Sequence, residues 1–319
     1  MFSRPSAALL GFLLLIPASA QEKSPGRWSA ERARKWQSDH PWLVGCNFIP
    51  STAINQLEMW QEDTFDLKTI DRELKWAEDL GFTSVRVFLH DLLWKQDQEG
   101  FLRRMEQFLD TADRHKIGVL FVLMDSVWDP HPQLGKQRAP KPHVHNSGWV
   151  QSPGAEIIGN PKRHDELRPY VQGVLSHFKR DRRIHGWDLI NEPNNTNNNS
   201  YCKREPPDKL KLALMLLRKT FAWAREVNPD QPLTAAPWEG DWSSLEKMSP
   251  INRFMFENSD VISFHEYGDL NAMKRRVEQV KNFNRPLALR PVLSFPCPEC
   301  VFFFSSFYGS RRRAGLVQL

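Results

Sequence analysis

Ile117-Gly-Val-Leu-Phe-Val-Leu-Met124 is apolar along its whole length. A strand with one wet face alternates apolar and polar side chains. A strand that never alternates is covered on both faces, the condition of a parallel sheet with helices around it. The sequence on either side agrees. Leu102, Met105, Phe108, Leu109 and Ala112 recur at helical spacing, and Phe82–Leu89 is a shorter run rich in Val and Phe. Asp66 stands where it can cap a helix with Leu67, Ile70, Leu74 and Ala77 on one face and Gly81 just past its end. Trp42–Phe48 reads as a first strand. Downstream come a helix over Leu167–Phe178, a strand over Ile184–Ile190, a helix over Lys209–Val227 and a strand over Pro232–Ala236. A strand over Val261–His265 and a helix over Met273–Phe283 follow, with a further strand due after Arg285.

At least six strand–helix alternations make the fold class α/β. Two parallel-sheet solutions exist, a doubly wound open sheet and a closed barrel. No G-x-G-x-x-G follows the first strand, so the nucleotide-binding version loses its main support. Polar and aromatic residues collect where the strands end: Asn47, Arg86, Asp125, Asn191, Glu192, Trp238, His265 and Tyr267. A (β/α)8 TIM barrel gathers its functional groups at that one face, and is the expected architecture. Trp128 to Arg163 carries Pro, Gly and His without periodicity, as expected of a cleft wall.

The chain has 319 residues, 40% hydrophobic and 25% charged, the composition of a folded protein. Its formal charge of +5 is carried by the ends. Residues 1–20 hold Arg4, residues 285–319 hold five arginines against Glu299, and the rest balances at 37 basic and 37 acidic residues. A nucleic-acid binder keeps its positive charge on the folded body, so that class is excluded. Twelve Trp against four Tyr supply flat apolar surfaces with a polar edge, which suit sugar rings and other planar ligands.

Residues 1–20 read as a signal peptide: Arg4, an apolar run from Ala7 to Ile16 too short to span a bilayer, then Ala18-Ser19-Ala20. The alternatives are a buried helix or an uncleaved anchor. The expected location is secreted or periplasmic, with no membrane contact after cleavage. Residues 21–284 form the expected barrel domain and 285–319 an aberrant tail. Cys46, Cys202, Cys297 and Cys300 form no disulfide framework, and Cys297-Pro-Glu-Cys300 stands alone. His131, His143 and His145 lack a clear third ligand partner, so neither metal nor cofactor is expected. Asn194-Asn-Thr196 and Asn198-Asn-Ser200 match glycosylation sequons, but sugars there would obstruct the strand end beside them.

That strand end carries the sharpest chemical signal, Trp187-Asp-Leu-Ile-Asn-Glu-Pro193. A strand closing in Asn-Glu-Pro sets a carboxyl at the barrel mouth. Here the chain resembles the glycoside hydrolases of clan A, particularly the cellulase-like enzymes of family 5, from about Trp42 to Pro286. Lys141-Pro-His-Val-His-Asn-Ser-Gly-Trp-Val-Gln-Ser-Pro-Gly154 resembles the long third-strand loop of secreted bacterial members loosely called cellulases or 1,4-β-xylanases. The resemblance implies Glu192 as acid/base and Asn191 as its neighbour on the sugar 2-hydroxyl. It implies Arg86 as the second-strand arginine, and His265 and Tyr267 as the sixth-strand pair. Trp128, Trp149, Trp238 and Trp242 are candidates for stacking on sugar, with core packing the alternative for each. The expected ligand is a β-linked oligo- or polysaccharide. Glycoside hydrolysis needs one protonated carboxyl and a second carboxylate across the sugar, and burial or a neighbouring carboxylate must raise the pKa of the first.

The pattern breaks at the seventh strand. The resemblance places a nucleophilic glutamate near position 290, where this chain reads Arg285-Pro-Leu-Ala-Leu-Arg-Pro-Val-Leu-Ser-Phe295. The nucleophile is therefore unassigned. Glu266 and Glu239 are the nearest surrogates. The barrel is expected to be incomplete, with strand 7 altered and strand 8 missing. Codons for Gly315-Leu-Val-Gln-Leu319 read one base later can encode Ala-Trp-Tyr-Asn-Trp, so a shifted frame is one account of the tail and a divergent terminus the other. Three functions follow: a retaining hydrolase inactive as written, a non-catalytic carbohydrate-binding relative, and a metal-dependent hydrolase that a chelator would silence.

Overall fold

A computed structural model describes residues 26–40, 43–198, 201–291 and 302–303. The N-terminal apolar run, Trp42, the Cys297–Cys300 pair and the rest of the tail lie outside the described residues. Helix α1 (Ala30–Asp39), capped by Ser29, precedes strand β1 (Val44–Asn47) and the short helix α2 (Gln56–Trp60). Then come α3 (Leu67–Asp79), β2 (Ser84–Phe88), α4 (Asp91–Gln96), α5 (Gln98–Arg114) and β3 (Gly118–Asp125). The long segment after β3 holds the single turn α6 (Ala155–Ile158) and leads to α7 (Arg168–Phe178), β4 (Ile184–Asn191) and α8 (Lys209–Val227). The last described elements are β5 (Leu233–Thr234), α9 (Pro250–Asn258), β6 (Ile262–Glu266), α10 (Leu270–Lys281), β7 (Leu287–Pro291) and β8 (Phe302–Phe303).

Local signals act as expected. The Asp66 carboxylate accepts from the Thr69 amide at 3.0 Å, and Ile70, Leu74 and Ala77 face inward from α3. Gly81 follows at φ +79, a left-handed conformation that costs glycine little. β1 to β5 run parallel in the order β5-β4-β3-β2-β1, with β3 central and buried on both faces from Val119 onward. β1 and β2 approach so closely that a Cβ on Gly45 would lie 1.5 Å from the Ser84 carbonyl oxygen. Outside the sheet, α5 lays Phe101, Met105, Phe108 and Leu109 into the core. Trp60 meets Phe108 edge-on at 5.5 Å, and Phe121 stacks on Trp187 at 5.6 Å. Burial of each such side chain stabilises the fold by up to about 3 kcal/mol.

β6 and β7 pair in parallel as a separate two-stranded sheet. It joins β5 through Asp260 N–H to Leu233 O at 2.8 Å and His265 N–H to Pro237 O at 3.0 Å. The Thr234 and Ser263 hydroxyls add a 2.7 Å hydrogen bond. Its apolar support is a second cluster of Trp242, Phe256, Ile262, Phe264, Met273 and Val280. The architecture is thus an incomplete TIM barrel. The altered seventh strand still pairs with β6. In place of a parallel eighth strand, the two residues of β8 run antiparallel to β1 at Val44 and Gly45. The fifth strand, expected over five residues, is ladder-paired over two.

Candidate active site

The ends of β2, β3, β4 and β6 bring one polar network together. Arg86 is buried and donates from Nη2 to Asp188 Oδ2 at 2.5 Å and to Asn191 Oδ1 at 2.8 Å. Its Nη1 reaches Asn47 Oδ1 at 3.5 Å. Asn191 Nδ2 in turn donates to Asp125 Oδ1 at 2.8 Å. The Asn191 amide is therefore fixed at both ends, its oxygen by a cation and its nitrogen by a carboxyl.

Glu192 follows at φ +45, a left-handed conformation costly for a residue with a Cβ. Neighbouring segments hold it. Its carbonyl accepts from Ser126 Oγ at 2.8 Å, and its N–H donates to Ala236 O at 3.2 Å. The side chain is buried and takes three donors: His265 Nδ1 at 2.5 Å and Tyr267 OH at 3.1 Å on Oε1, and Asn195 Nδ2 at 2.8 Å on Oε2. With Oε1 as acceptor, Nδ1 carries the ring proton.

The electrostatics invert one expectation. Burial alone would raise the Glu192 carboxyl, but the hydrogen bond and charge of His265, joined by Asn195 and Tyr267, outweigh it and hold the group below its ordinary value. Glu192 is a carboxylate, not the raised acid the sequence reading required. The physical reason is local: three donors converge on it, and no acidic residue lies in β7. The raised carboxyl is Asp125, pushed up to about 7 by burial, with Asn191 opposing and the charge of Glu192 adding. Its Oδ2 is buried without a partner. Asp125 is fully enclosed, so it acts on Asn191 and not on a ligand.

A second buried cluster supports the same strand ends. Lys209 Nζ, at the start of α8, donates to Glu205 Oε1 at 2.6 Å and to Ser126 O at 2.5 Å. Asn197 Nδ2 and Gln151 Nε2 donate to the same Glu205 oxygen at 2.6 and 3.0 Å. This clasp ties the segments after β3 and β4 to α8, next to the backbone of Glu192. Sequence reasoning missed it, and missed Asn195. The Glu205–Lys209 spacing of four residues was its one visible signal.

The aromatic candidates separate. Half-buried Trp238 meets Tyr267 edge-on at 6.2 Å, with its indole N–H unpartnered. Half-buried Trp128 meets His145 edge-on at 5.4 Å, and its backbone is clamped to Asn197 at both N–H and C=O. Trp149 packs on Phe88. Trp242 is core: it is buried against Phe256 and Phe264 under the Arg276 guanidinium, not beside the cleft. Glu266 is tied to Arg276 Nε at 3.0 Å and to the Gly268 amide, which removes it as a surrogate nucleophile. Glu239 is exposed, raised by partial burial and by the charge of Glu192. Position 290, the register partner of His265, is an arginine. No cluster of three or more His, Cys, Asp or Glu that could hold a metal occurs among the described residues.

Comparison with known proteins reaches glycoside hydrolases by two routes. Residues 141–253 match the model of glycosyl hydrolase family 10. A beta-1,4-xylanase of Dictyoglomus thermophilum is 30% identical over 92 residues, covering 28% of this chain and 24% of the relative. The match thus spans about a quarter of that enzyme's length. In structure, the chain resembles the endo-1,4-beta-mannanase of Rhizomucor miehei with TM-score 0.50 and 15% identity over 77% of this chain and 80% of that one. It resembles the endo-beta-1,4-mannanase of Thermotoga petrophila with TM-score 0.50 and 12% identity, over 80% and 62%. At such identities the structural likeness establishes the barrel fold. The sequence likeness is to clan A glycoside hydrolases, through a family 10 model that matches residues 141–253 and does not separate the expected family 5 from family 10.

Proposed function

We propose that this barrel engages β-linked plant or microbial polysaccharide in the cleft above β4, with Glu192 as its one catalytic carboxylate. The observation that carries the reading is the convergence of His265, Tyr267 and Asn195 on Glu192, beside an Asn191 fixed by Arg86 and Asp125. Such a site presents a carboxylate and an amide side by side at a strand end, flanked by Trp238 and Trp128. The family 5-like reading assigns Asn191 to the sugar 2-hydroxyl and Glu192 to the glycosidic oxygen. It assigns the N-terminal run to export, with secreted or periplasmic residence. Among the described residues no helix is long and apolar enough to cross a membrane.

Retaining double displacement requires a second carboxylate about 5 Å across the sugar. β7 carries none and Glu266 is committed to Arg276, which leaves exposed Glu239 as the remaining surrogate of the two. On this reading the chain binds β-linked oligosaccharide and hydrolyses it at or near background. This favours a carbohydrate-binding role over turnover. The test is a titration of intrinsic tryptophan fluorescence with xylo-, manno- and cello-oligosaccharides, beside a reducing-sugar assay on the polymers. Saturable binding without sugar release is expected. Release that vanishes in Glu192→Gln would overturn the inactivity and require another nucleophile, and release abolished by a chelator would point to a metal-dependent hydrolase. Failure to bind any of the three series would overturn the carbohydrate reading.

A further inference from the structure

The segments around the Glu192 cleft carry opposite charge on its two sides. Those following β3 and β4 hold Lys136, Arg138, Lys141, Lys203 and Arg204 against the single carboxylate of Asp129 between Trp128 and Trp149 and between Asn195 and Arg204. All five cations are exposed. The segment after β5 runs the other way, with Glu239, Asp241 and Glu246 against Lys247. Residues 21–284 balance as a whole, so the positive excess is local. The cationic wall is also built and adjoins the carboxylate. Asn197 bonds both the N–H and the C=O of Trp128, His145 meets that indole edge-on at 5.4 Å, and the charge of Glu192 reaches His145. Arg138 Nη2 bridges the two segments, donating to Ser147 O and to Tyr201 OH, each at 3.1 Å. Its Nε and Nη1 hydrogens meet no acceptor among the described residues, which leaves three charged donors for an anion. Asp129 does not take them up. It stands 3.5 Å from Arg138 Nη2 and 3.9 Å from Arg204 Nη1, beyond hydrogen-bond length.

We infer that this wall is a subsite for an anionic substituent, and that the glycan taken by the cleft is a β-linked polysaccharide bearing carboxylate or sulfate side groups. The inference rests on the carbohydrate reading above and narrows its substrate class. A neutral glycan leaves the like charges of the wall uncompensated, whereas an anionic side group relieves their repulsion and gains charge-assisted hydrogen bonds from Arg138. Half-buried Trp128, on the same wall, offers a flat face for the sugar that bears the group. The acidic segment after β5 repels the same group. The two walls together therefore fix which side of the chain the substituent occupies, since discrimination comes from the repulsive wall as well as the attractive one.

The experiment measures dissociation constants of the full chain for matched pairs of ligands. A xylo-oligosaccharide with one glucuronosyl side group is set against the same compound with its carboxyl reduced to an alcohol. Sulfated cello- and manno-oligosaccharides are set against their unsulfated forms. The charged member of at least one pair should bind about tenfold tighter at low ionic strength. The ratio should fall towards one at about 1 M salt, where charges act over only about 3 Å. A preference confined to the glucuronosyl pair identifies a carboxylate and one confined to the sulfated pairs a sulfate ester, and either supports the proposal. Arg138→Gln with Arg204→Gln should bring the ratio below about threefold. Because Arg138 also bridges two segments, Lys141→Gln with Lys203→Gln serves as a second variant that leaves the bridge intact, and it should lower the ratio at least about twofold. Lys247→Gln, a loss of the same charge from the other wall, should not lower it. A ratio that survives in both double variants, or that salt does not move, would overturn the proposal. Equal binding within every pair would overturn it and leave the carbohydrate reading standing, whereas binding of no ligand would remove both.

Discussion

At the residue scale, the site separates two carboxyls by environment. Glu192 is held below its ordinary range by donors, and Asp125 is pushed up to about 7 by burial. The two act oppositely on stability. Glu192 binds a proton less readily folded than unfolded, so its stabilisation is present above the ordinary glutamate pKa and is lost as pH falls through the folded value. Asp125 binds a proton more readily folded, so the unfolded chain holds fewer protons between pH 3.8 and about 7, and stability falls as pH rises across that window. The full effect is on the order of a few kcal/mol. Asp125→Asn keeps an oxygen for Asn191 and removes the titration. Urea unfolding at pH 5 and pH 8 should show the variant gaining relative to wild type at pH 8 and losing that advantage at pH 5. An unchanged difference between the two pH values would contradict this. His265, Tyr267, Asp125, Lys209, His145 and Glu239 all face or act on Glu192, so its own titration is read best by NMR. Asn191-Glu192-Pro193 was legible because a strand end exposes such a motif in one line of sequence. Asn195 was not, because nothing in an asparagine-rich loop says which side chain turns back onto the carboxylate.

At the element scale, the long periodic helices and the apolar strands could be read directly: α3, α8 and β3 fall within two residues of their expected spans, and α5 begins four residues before its first expected apolar position. The short helices α2 and α4 were not read, since five or six residues carry too little periodicity. α9 was missed although Ser249-Pro250 is a helix-start signal. The Glu205–Lys209 clasp is an element-level device. It secures the start of α8, where Asp208 adopts φ +59 and no side-chain cap is present, to the segment following β3. Lys209→Met alone leaves a buried Glu205 carboxylate with only amide donors, and should cost about 3–5 kcal/mol. Glu205→Leu with Lys209→Met removes both charges. Ser126 O keeps its hydrogen bond from Gln151 Nε2 at 2.7 Å, so the double variant should recover more than half of that loss. Urea midpoints of the three proteins check the order. A double variant as unstable as the single would show that the clasp works by shape and not by charge.

At the scale of the whole molecule, the site spans a seam. Glu192, Asn191, Arg86 and Asp125 stand on the five-stranded parallel sheet, whereas His265 and Tyr267 come from β6 and the loop after it, in the β6–β7 sheet. β3 has a ladder on each side, but β6 meets β5 through two separate backbone bonds and one pair of hydroxyls. At the opposite end of the strands the seam is closed by Asp260, which accepts from Trp28 N–H, Arg225 and the Leu233 amide. Fewer cross-seam bonds and a smaller apolar cluster place the β6–β7 unit at the low end of local stability. Amide hydrogen exchange should therefore show Ile262–Glu266 exchanging at least about tenfold faster than Gly118–Asp125. Opening that unit withdraws two of the three donors from Glu192, so an oligosaccharide seated across the cleft binds the closed form alone. At one hundred times its dissociation constant it stabilises that form by about 2.7 kcal/mol, slowing exchange in β6 about a hundredfold. Peptides of α5, far from the seam, should change much less. Uniform slowing throughout the barrel would mean that the ligand acts on global unfolding, and no slowing in β6 would mean that it does not reach across to His265 and Tyr267.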